Sequence, residues 1–486
     1  MPELTTAQRA ALARVRSESP AVRRLAAVFA EAGHELYLVG GPVRDALLGR
    51  EGNDLDFTTS AQPAVIEALM RQVSTAVWDI GREFGTIGCA VTEPGPDGVE
   101  RTLVIEVTTF RSDAYRDDSR KPAVVFGDHL GGDLVRRDFT VNAMALDMRT
   151  SEFLDPFGGA SDLVAGVLVT PSTPELSFSD DPLRMLRAAR FAAQLGFRPA
   201  AEVVAAMTDM APRIAIVSAE RVRDELIKTI MAADPRAGLN LLVSTGLADH
   251  VLPELAALRM ERDEHNRHKD VYEHTLTVLD QTIDLENRLG GPDLTARLAA
   301  LLHDIGKPRT RRFEPGGKVS FHHHDVVGAK LATKRMQQLK FPTEQIKAVT
   351  KLVELHLRFH GYADAEWTDS AVRRYVRDAG DQLDRLHVLT RSDCTTRNQR
   401  KAAKLRTAYE QLEWRIDELA AQEELSAMRP DLDGTQIMAI LGIPPGPTVG
   451  RAYSFLLEKR LDEGPLGEDA ARVALQAWWA GQQPSD

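Results

Sequence analysis

The sequence contains very little cysteine, with only Cys89 and Cys394 among 486 residues. Two distant cysteines with no Cys-x-x-Cys spacing argue against a disulfide framework or a thiolate zinc site, and they favour a reducing cytoplasm. No stretch approaches 18 uninterrupted apolar residues, so we expect no membrane-spanning helix and no membrane partner. The first 20 residues lack the apolar core of a signal peptide. These absences together predict a cytoplasmic protein.

Positive charge is also in short supply, because 60 Lys and Arg residues face 71 Asp and Glu residues, for a formal net charge of −11. An acidic chain argues against a protein that coats nucleic acid without specificity, since phosphate binding needs cations. The charge is uneven, however: residues 297–351 hold 12 basic and 4 acidic side chains, and residues 410–486 hold 6 and 14. Either block can be a solvated helical face or a surface that binds a partner of opposite charge.

What is present is ordinary globular material. An apolar content of 43% and a charged content of 27% over 486 residues predict three or four folded domains. Extended segments mix with helices up to about residue 160, and after Pro182 the chain has helical spacing. The predicted fold class is α+β, with a small mixed α/β head and an all-helical body. The predicted divisions are a lead-in at 1–20, the head at 21–160, a neck at 161–260, a further helical domain at 261–400 and a helical tail at 401–486.

The segment LVGGPVRDALLGREGNDLDF carries the most chemistry in the head. Gly40 and Gly41 follow an apolar strand, where the missing Cβ lets backbone amides approach a phosphate near the start of the next helix. Asp54 and Asp56 would share one face of a strand and form a hard-oxygen site for Mg²⁺. Each feature alone is common in turns and solvated strands. Glu106, an acid inside an apolar strand, makes the combination rare and favours metal-dependent phosphoryl chemistry.

Longer motifs downstream make the pattern more specific. They are RRDFTVNAMALD at 136–147, FLDPFGG at 153–159, SDDPLRMLRAARFAAQLGF at 179–197 and VSAERVRDEL at 217–226. Together with the paired aspartates they resemble the nucleotidyltransferase superfamily that includes DNA polymerase β-like enzymes. More narrowly, the chain resembles bacterial class II CCA-adding tRNA nucleotidyltransferases and their relatives, the bacterial poly(A) polymerases. The motifs occur in the family's order over residues 37–230.

This resemblance implies a reaction and a set of site residues. The 3′-hydroxyl of an RNA would attack the α-phosphate of a nucleoside triphosphate, and pyrophosphate would leave, by a two-metal mechanism using Mg²⁺. Asp54 and Asp56 would bind the metals, with Glu106 as a third catalytic acid. The implied nucleotide-binding residues are Gly41, Arg44, Arg137, Asp138, Asn142, Asp181, Arg184, Arg187 and Arg190. For Arg44 a helix-end salt bridge with Asp45 is the alternative.

The segment after Asp180 is the implied reader of the nucleobase. Asp181 is expected to be a helix N-cap with Pro182 at the first helical position. Arg184, Arg187 and Arg190 follow at steps of three residues along one face. In the family that this chain resembles, the Asp and Arg at the matching positions select cytosine or adenine without a nucleic-acid template. Relatives have Glu where this chain has Asp180, which leaves the role of Asp180 open.

A second group of residues lies in the 261–400 domain. His274, the adjacent pair His303 and Asp304, and Asp393 fall in separate helical segments, and imidazoles with carboxylates suit a divalent metal such as Mn²⁺, Ni²⁺ or Mg²⁺. The order His, His-Asp, Asp and the segment LLHDIGKP resemble the HD phosphohydrolase superfamily. The resemblance implies metal binding and leaves phosphoester hydrolysis open. Four more histidines could join a second metal or contact phosphate: His322, His323, His324 and His356. The triplet at 322–324 could equally lie in solvent.

The leading functional hypothesis is therefore addition of CCA to the 3′ end of tRNA from CTP and ATP. Poly(A) addition, A-only addition and CC-only addition are the alternatives within the same chemistry. Residues 111–137 resemble the family's base-switching loop, which favours full CCA addition. From other classes come an HD phosphohydrolase acting on RNA ends or cyclic phosphates and an inactive RNA-binding protein, against which the intact Asp54 and Asp56 argue. The tail turn at 442–447 could contact RNA phosphates or simply connect two helices, and nothing in the pattern fixes an oligomeric state.

Overall fold

The computed structural model divides into two compact units, residues 1–253 and 254–486. The residues it describes are 4–50, 52–95, 98–111, 126–127, 129–259, 270–315, 318–359, 367–395, 398–423 and 429–482. Most of the predicted base-switching loop, residues 112–125 and 128, lies outside them. No helix in the described part of the chain is long and apolar enough to cross a membrane. The predicted fold class is confirmed, since a mixed α/β head is followed by a helical body.

The head is built on a seven-stranded sheet in the order β3-β4-β5-β2-β1-β6-β7. Its strands are β1 (Leu36–Val39), β2 (Asp54–Thr59), β3 (Ala76–Trp78), β4 (Thr86–Pro94), β5 (Glu100–Thr109), β6 (Ala145–Asp147) and β7 (Phe153–Leu154). Only β2 and β5 pair in parallel; the other neighbours are antiparallel. Two further strands, β8 (Val167–Leu168) and β9 (Arg198–Pro199), form a separate parallel pair.

The central parallel pair places the acids of the sequence motif side by side. Asp56 on β2 is in register with Glu106 on β5. Leu55 and Ile105, the neighbours that point to the opposite face, are 7% and 0% exposed. Alternation along a strand therefore anchors one face in the core and leaves the acidic face accessible.

Helices surround this sheet and continue to the end of the first unit. They are α1 (Thr6–Ser17), α2 (Pro20–Glu31), α3 (Gly41–Leu47), α4 (Pro63–Met70), α5 (Leu130–Val135), α6 (Gly159–Ala165), α7 (Pro174–Asp180), α8 (Leu183–Leu195), α9 (Ala201–Met210), α10 (Ala219–Ile230), α11 (Pro235–Ser244) and α12 (Leu247–Val251). The helix α8 is amphipathic around an almost continuous buried stripe and ends at Gly196, whose φ of +72° suits a residue without Cβ.

The second unit is helical apart from one hairpin. After α13 (Pro253–Ala256), its helices are α14 (Val271–Asp284), α15 (Leu294–Leu302), α16 (Lys307–Thr310), α17 (His324–Gln338), α18 (Thr343–Leu355), α19 (Asp369–Ala379), α20 (Leu383–Ser392), α21 (Gln399–Glu423), α22 (Gly434–Leu441), α23 (Pro447–Glu463) and α24 (Glu468–Ala480). The hairpin joins β10 (Arg312–Glu314) to β11 (Lys318–Ser320). This hairpin and the short pair β8–β9 are the places where the predicted all-helical body contains strands.

The last three helices have a core of their own. Leu432, Ile437, Leu456 and Leu475 are all 1% exposed or less in this cluster. The acidic character of the tail is partly neutralised by contacts with α19: Arg377 lies 3.0 Å from Glu458. The excess of negative charge predicted for residues 410–486 is therefore not an unbroken acidic surface.

Candidate functional site

A cleft of about 800 Å³ in the first unit gathers most of the predicted head residues. Asp54 and Asp56 lie in its floor, and both are exposed to it. Glu106 is beside Asp56 on the next strand but does not line the cleft itself. The three carboxylates thus lie on one face of two adjacent strands, which is the arrangement that the alternation of residues predicts.

The floor fits a hard divalent cation. Among the described residues, none of the three acids has a basic partner within ion-pair distance. Although Asp56 is exposed to the cleft, the cleft walls partly desolvate its carboxyl group and raise its pKa despite Arg137, and Asp54 adds to the rise. Burial and the two aspartates likewise raise the pKa of Glu106. Crowded carboxylates repel one another, so a cation held between them would be stabilised by relieving that repulsion.

Gly40 is required by the geometry above this floor. Its φ is +76°, and a Cβ added there would lie 3.0 Å from Nη1 of Arg137 and 4.0 Å from Oδ2 of Asp56. A side chain would therefore displace the arginine nearest the acids. The sequence predicts the approach of a phosphate at these glycines, and the protein group that lies closest to Gly40 there is Arg137.

Asp133 holds that arginine in place and was missed by the sequence analysis. It is 0% exposed and accepts hydrogen bonds from Arg136 at 2.9 Å and Arg137 at 3.0 Å. Burial opposes ionisation, but the two guanidinium groups hold the pKa of Asp133 below its usual range. An acid three and four residues before an arginine pair on a short helix was the available signal.

Arg44, Asn142 and Asp138 form one connected network. Arg44 donates to Asn142 at 2.8 Å and to both oxygens of Asp45 at 2.9 Å. The salt bridge with Asp45, given above as the alternative reading, is therefore present, while Arg44 still lines the cleft. Asn142 in turn donates to Asp138 at 2.9 Å. The predicted nucleotide-binding residues are thus fixed by one another.

The predicted cap of the base-reading helix is displaced by one residue. The helix α8 begins at Leu183, so Pro182 precedes it and Asp181 follows α7. Asp181 nevertheless accepts a hydrogen bond from the backbone amide of Leu183, with 3.1 Å between nitrogen and oxygen, because the bend between the two helices turns its carboxylate toward that amide. Its other oxygen accepts from Arg221 at 2.8 Å.

Arg184 faces the cleft from a buried position, with 8% of its surface exposed. It donates to Oγ of Ser177 at 2.9 Å and to the carbonyl oxygen of Arg136. Asp181 and Arg184 are therefore both in the cleft wall, but each is occupied by internal hydrogen bonds. Reading a base would require exchanging some of those bonds.

Two arginines of the expected stripe, Arg187 and Arg190, bind acids from other segments of the chain. Arg187 donates to the buried Asp138 at 2.7 Å, and Arg190 donates to Glu225 at 2.7 Å. Burial alone would raise the pKa of Asp138, yet Arg187 and two further hydrogen bonds hold it well below its usual range. Glu225 is a second positioning residue that sequence reasoning missed, because it lies on α10, far from Arg190 in sequence.

The second candidate site is a buried cluster in the other unit. Its members are His274, His303, Asp304, His324, His356 and Asp393. Most of them mark a helix boundary: His303 and Asp304 follow α15, His324 begins α17, His356 follows α18 and Asp393 follows α20. His274 Nε2 lies 3.0 Å from Asp393 and 3.4 Å from Asp304, and His303 Nε2 lies 3.2 Å from Asp304. The four residues predicted from the sequence therefore converge.

The histidine rings are oriented by hydrogen bonds at Nδ1, the ring nitrogen that faces away from the centre of the cluster. Nδ1 of His303, His324 and His356 lies 2.8, 2.7 and 2.6 Å from a backbone carbonyl oxygen, and Nδ1 of His274 lies 2.9 Å from Thr395 Oγ1. In this arrangement Nδ1 carries the proton and Nε2 presents a lone pair to the interior, which is how metal-binding imidazoles are held.

Three of those Nε2 atoms are buried and form no hydrogen bond, those of His303, His324 and His356, although the first two lie 3.2 and 3.3 Å from the Asp304 carboxylate. Buried polar atoms are rarely left so. Two overlapping sets of ligand atoms are close enough to hold an ion: His274 with His303 and Asp304, and Asp304 with His324 and His356. The residues fit one or two divalent metals that accept nitrogen and oxygen ligands.

The electrostatics agree with this fit. Although burial opposes ionisation, a protonated His303 and Lys307 hold the pKa of Asp304 far below its usual range, so Asp304 is a carboxylate; a bound metal ion would take the place of the proton on Nε2 of His303. Burial, helped by His303, lowers the pKa of His356 to about 4, so its ring is neutral at physiological pH and free to bind a metal.

Gly306 sets the distance between α16 and α17. A Cβ built on it would lie 2.0 Å from the carbonyl oxygen of His324 and 2.7 Å from the amide nitrogen of Gly328. The backbone just after the His-Asp pair therefore packs directly on the first turn of the helix that carries His324. This contact explains why the segment LLHDIGKP needs glycine at that place.

The histidine triplet behaves differently at each position. His324 is 8% exposed and points into the cluster, whereas His322 and His323 are exposed. His323 has a φ of +61° and precedes α17, so the chain turns there and only the third imidazole faces inward. The sequence left open whether these histidines bind a metal or lie in solvent; the start of α17 directs His324 into the cluster and leaves His322 and His323 exposed.

Comparison with known families covers the two units separately. Residues 36–169 match the family described as the poly A polymerase head domain, and residues 196–258 match the probable RNA and SrmB-binding site of polymerase A. Residues 271–398 match the HD domain family. These matches cover the sheet with its carboxylates and the helices with their histidines.

Two full-length relatives extend the likeness. The A-adding tRNA nucleotidyltransferase of Deinococcus radiodurans is 34% identical over 92% of this chain and 96% of its own length. The CC-adding tRNA nucleotidyltransferase of Thermus thermophilus is 32% identical over 92% of this chain and 95% of its own. Among solved structures, the CCA-adding enzyme of Bacillus stearothermophilus in complex with CTP has a similar fold, with a TM-score of 0.66 at 24% identity, covering 96% of this chain and 99% of that one.

Proposed function

We propose a reaction for this chain from the premise that it belongs to the tRNA nucleotidyltransferase family. The chain adds CCA to the 3′ end of tRNA, using CTP and ATP and releasing pyrophosphate. The observation that carries the proposal is the row of carboxylates on β2 and β5 in the floor of an arginine-lined cleft. A cytoplasmic place of action accompanies the proposal, because its substrates are tRNA and nucleoside triphosphates.

The chain's own residues would divide the work as follows. Asp54 and Asp56 would hold Mg²⁺, which supplies Lewis-acid activation of the 3′-hydroxyl and charge neutralisation on the leaving group. That hydroxyl would attack the α-phosphorus and lose its proton to solvent, while the bond between the α-phosphorus and the oxygen that bridges to the β-phosphate breaks and pyrophosphate leaves. Arg137, anchored by Asp133, lies beside the acids and can take the negative charge of the triphosphate.

Base selection would use Asp181 and Arg184, since both line the same cleft. A carboxylate and a guanidinium together offer acceptors and donors for the Watson–Crick edge of a base. Asp181 would release Arg221, which is 54% exposed along its side chain and can turn to solvent. A wrong base would leave these groups unpaired, which is how a protein surface can discriminate without a template.

The test uses tRNA transcripts that end at the discriminator base or after two added cytidines. Each is incubated with CTP, ATP or both and Mg²⁺, and products are separated at single-nucleotide resolution. We expect two additions from CTP alone, one adenosine on the transcript that ends in CC, and CCA followed by a stop when both are present.

Other product patterns would replace this proposal by a narrower one. Adenosine addition only to the CC-ending transcript would make the chain an A-adding enzyme, and arrest after two cytidines with ATP present would make it a CC-adding enzyme. A long adenosine tail would instead indicate poly(A) polymerase. The role of Asp56 is tested in the same assay, where Asp56→Ala should greatly reduce nucleotide addition. Its control is Asp79→Ala, which removes an exposed acid outside the cleft.

A second activity is favoured by the unpartnered Nε2 atoms of His303, His324 and His356. We propose that the HD domain binds Mn²⁺, Ni²⁺ or Mg²⁺ and hydrolyses a phosphoester such as an RNA end or a cyclic phosphate. Water would attack the phosphorus, one ester bond would break, and the alcohol would leave with a proton. Bound metal would supply an activated water at neutral pH.

This activity can be measured apart from nucleotide addition. The full chain, loaded with each metal, is assayed with bis(p-nitrophenyl) phosphate and with adenosine 2′,3′-cyclic phosphate. Hydrolysis that is lost in His303→Ala would support the proposal. Absence of hydrolysis with every metal would refute it and leave the head proposal untouched.

A further inference from the structure

The hairpin β10–β11 leaves the helical second unit beside the histidine cluster and exposes an aromatic ring. We propose that this hairpin is a stacking platform that binds the terminal nucleotide of a single-stranded RNA at the entrance of the cluster. The inference rests on the second activity above, because it names the class of substrate: an RNA end, rather than a free small phosphoester. It concerns residues that the nucleotide-addition chemistry does not use.

Phe313 is the centre of the platform. It lies in β10 opposite Val319 of β11, and 71% of its surface is exposed. The guanidinium of Arg311 lies 4.8 Å from the centre of its ring, on one face. An isolated exposed aromatic ring is unremarkable, but a ring with a cation on one face offers its other face to a base, and bases stack on aromatic side chains without sequence preference.

Two exposed cations lie close to this ring in the sequence. Arg309 and Arg312 are both exposed, and neither forms an ion pair with any residue in the described ranges. Other cations of the basic segment 297–351 are already neutralised: Arg297 binds Glu286 at 2.6 Å and Arg335 binds Glu254 at 2.8 Å. Arg309 and Arg312 are thus unneutralised cations close to Phe313 along the chain, as Lys330 and Lys334 are on α17.

The position of the hairpin links it to the cluster. The chain runs from Asp304 through α16 into β10, and from β11 through Phe321 directly to His324. Lys307 connects the two regions, since its ammonium group lies 2.5 Å from Asp304 and 5.7 Å from the centre of the Phe321 ring. Both ends of the hairpin are therefore attached to ligands of the candidate metal centre.

These features favour RNA over a peptide. The ring lies on a two-stranded ribbon rather than in an apolar groove, so little apolar surface would be buried by a side chain. A nucleotide matches the arrangement, because its base can cover Phe313 while its neighbouring phosphates meet Arg309 and, across the edge of the ribbon, Arg312, which projects to the other face. The ester at the end of the strand would then lie toward the histidines.

Photo-crosslinking tests the placement directly. The probe is a short RNA whose last base is 5-iodouracil and whose 3′ end carries a phosphate, so that it cannot accept a nucleotide in the head. The full chain is irradiated with it in EDTA, which prevents turnover, and the linked peptides are identified by mass spectrometry. We expect a crosslink within residues 311–321. Crosslinks confined to residues 1–253, or to the peptide containing Trp414, would overturn the proposal.

Affinity measurements separate stacking from charge. By fluorescence anisotropy with a 5′-labelled form of the same RNA, Phe313→Ala should weaken binding by about tenfold, and Phe313→Trp should restore it. Arg312→Ala should reduce by roughly 0.7 the magnitude of the negative slope of log association constant against log salt concentration. Phe313→Ala should leave that slope unchanged. Trp414→Ala removes another exposed aromatic ring, 65% exposed on α21, and is the matched control with no expected effect.

The two proposals can fail separately. Loss of binding in Phe313→Ala together with no hydrolysis of any phosphoester would retain the platform and refute the hydrolase. Hydrolysis of bis(p-nitrophenyl) phosphate together with equal RNA affinity of the unsubstituted chain, Phe313→Ala and Trp414→Ala would refute the platform and retain the hydrolase.

Discussion

The cleft of residues 1–253 and the histidine cluster of residues 254–486 both collect acids for a divalent cation, but they are built differently. In the head, Asp54 and Asp56 are accessible on strands, and no imidazole lines the described cleft. In the second unit, His303, Asp304 and His356 are 0% to 1% exposed at helix ends. An open oxygen site suits an ion that arrives and leaves with a triphosphate, whereas a buried imidazole site suits an ion that stays.

The largest expected effect concerns the open site. Asp56→Ala should reduce nucleotide addition roughly a thousandfold, since a ligand that places the metal contributes several kcal/mol to transition-state stabilisation. The measurement is the single-turnover rate of cytidine addition to tRNA. A fall in the metal content of the HD domain in Asp56→Ala would contradict the separation of the two sites. Asp79→Ala, which removes an exposed acid, is the matched control.

The buried site should respond in the opposite way. His303→Ala removes an inward nitrogen, so we expect loss of bound Mn²⁺ or Ni²⁺ and of any phosphoester hydrolysis, with nucleotide addition essentially unchanged. Metal content is measured by mass spectrometry after desalting. His322→Ala, an exposed neighbour of the cluster, should retain the metal. A matching loss of nucleotide addition would contradict the independence of the two sites.

Much of this contrast could be read from the sequence, and the reasons differ between the sites. Strand alternation is local, so the sequence predicts that Asp54 and Asp56 share one face of a strand, as they do; the adjacent pair His303-Asp304 is equally local, although it lies just after α15 rather than within a helix. The partners of Arg184, Arg187 and Arg190 could not be predicted, because Arg136, Asp138 and Glu225 come from other segments. The direction of His324 depended on where α17 begins, which a run of three histidines does not reveal.

An intermediate effect tests a residue found only in the structure. Asp133→Asn should lower the free energy of unfolding by about 2 kcal/mol, because two arginines lose the charge of a buried partner. Nucleotide addition should fall as Arg137 loses its anchor, while HD metal content stays constant. Urea unfolding and the addition assay measure these effects, with Asp79→Asn as control. An unchanged addition rate would remove Asp133 from the positioning of Arg137.

The stability difference should also depend on pH. The pKa of Asp133 is lowered in the folded protein from its ordinary value of 3.8. Its ionised form therefore contributes fully above that ordinary value, and the contribution is lost as the pH falls through the lower folded value. The gap between the unsubstituted chain and Asp133→Asn should be constant near neutrality and should shrink only in acid.

The smallest expected effect tests the hydrogen bond that orients His274 in the buried site. Thr395→Val removes the hydroxyl 2.9 Å from Nδ1 of His274, and loss of such an orienting bond should weaken metal binding by about tenfold. Chelator competition measures this change. Thr333→Val, which removes a hydroxyl that pairs with Thr350 on α17 and α18, is the control. Equal affinities in both variants would mean that His274 is oriented by packing alone.

The contact at Gly306 has a consequence for reading other chains of this kind. Any side chain at that position would push on the backbone of His324 and Gly328, so it would move an imidazole without altering one. A chain could therefore keep every histidine and aspartate of the cluster and still be unable to close it around an ion. The glycine two residues after the aspartate is as informative as the ligands themselves when judging whether such a domain has degenerated.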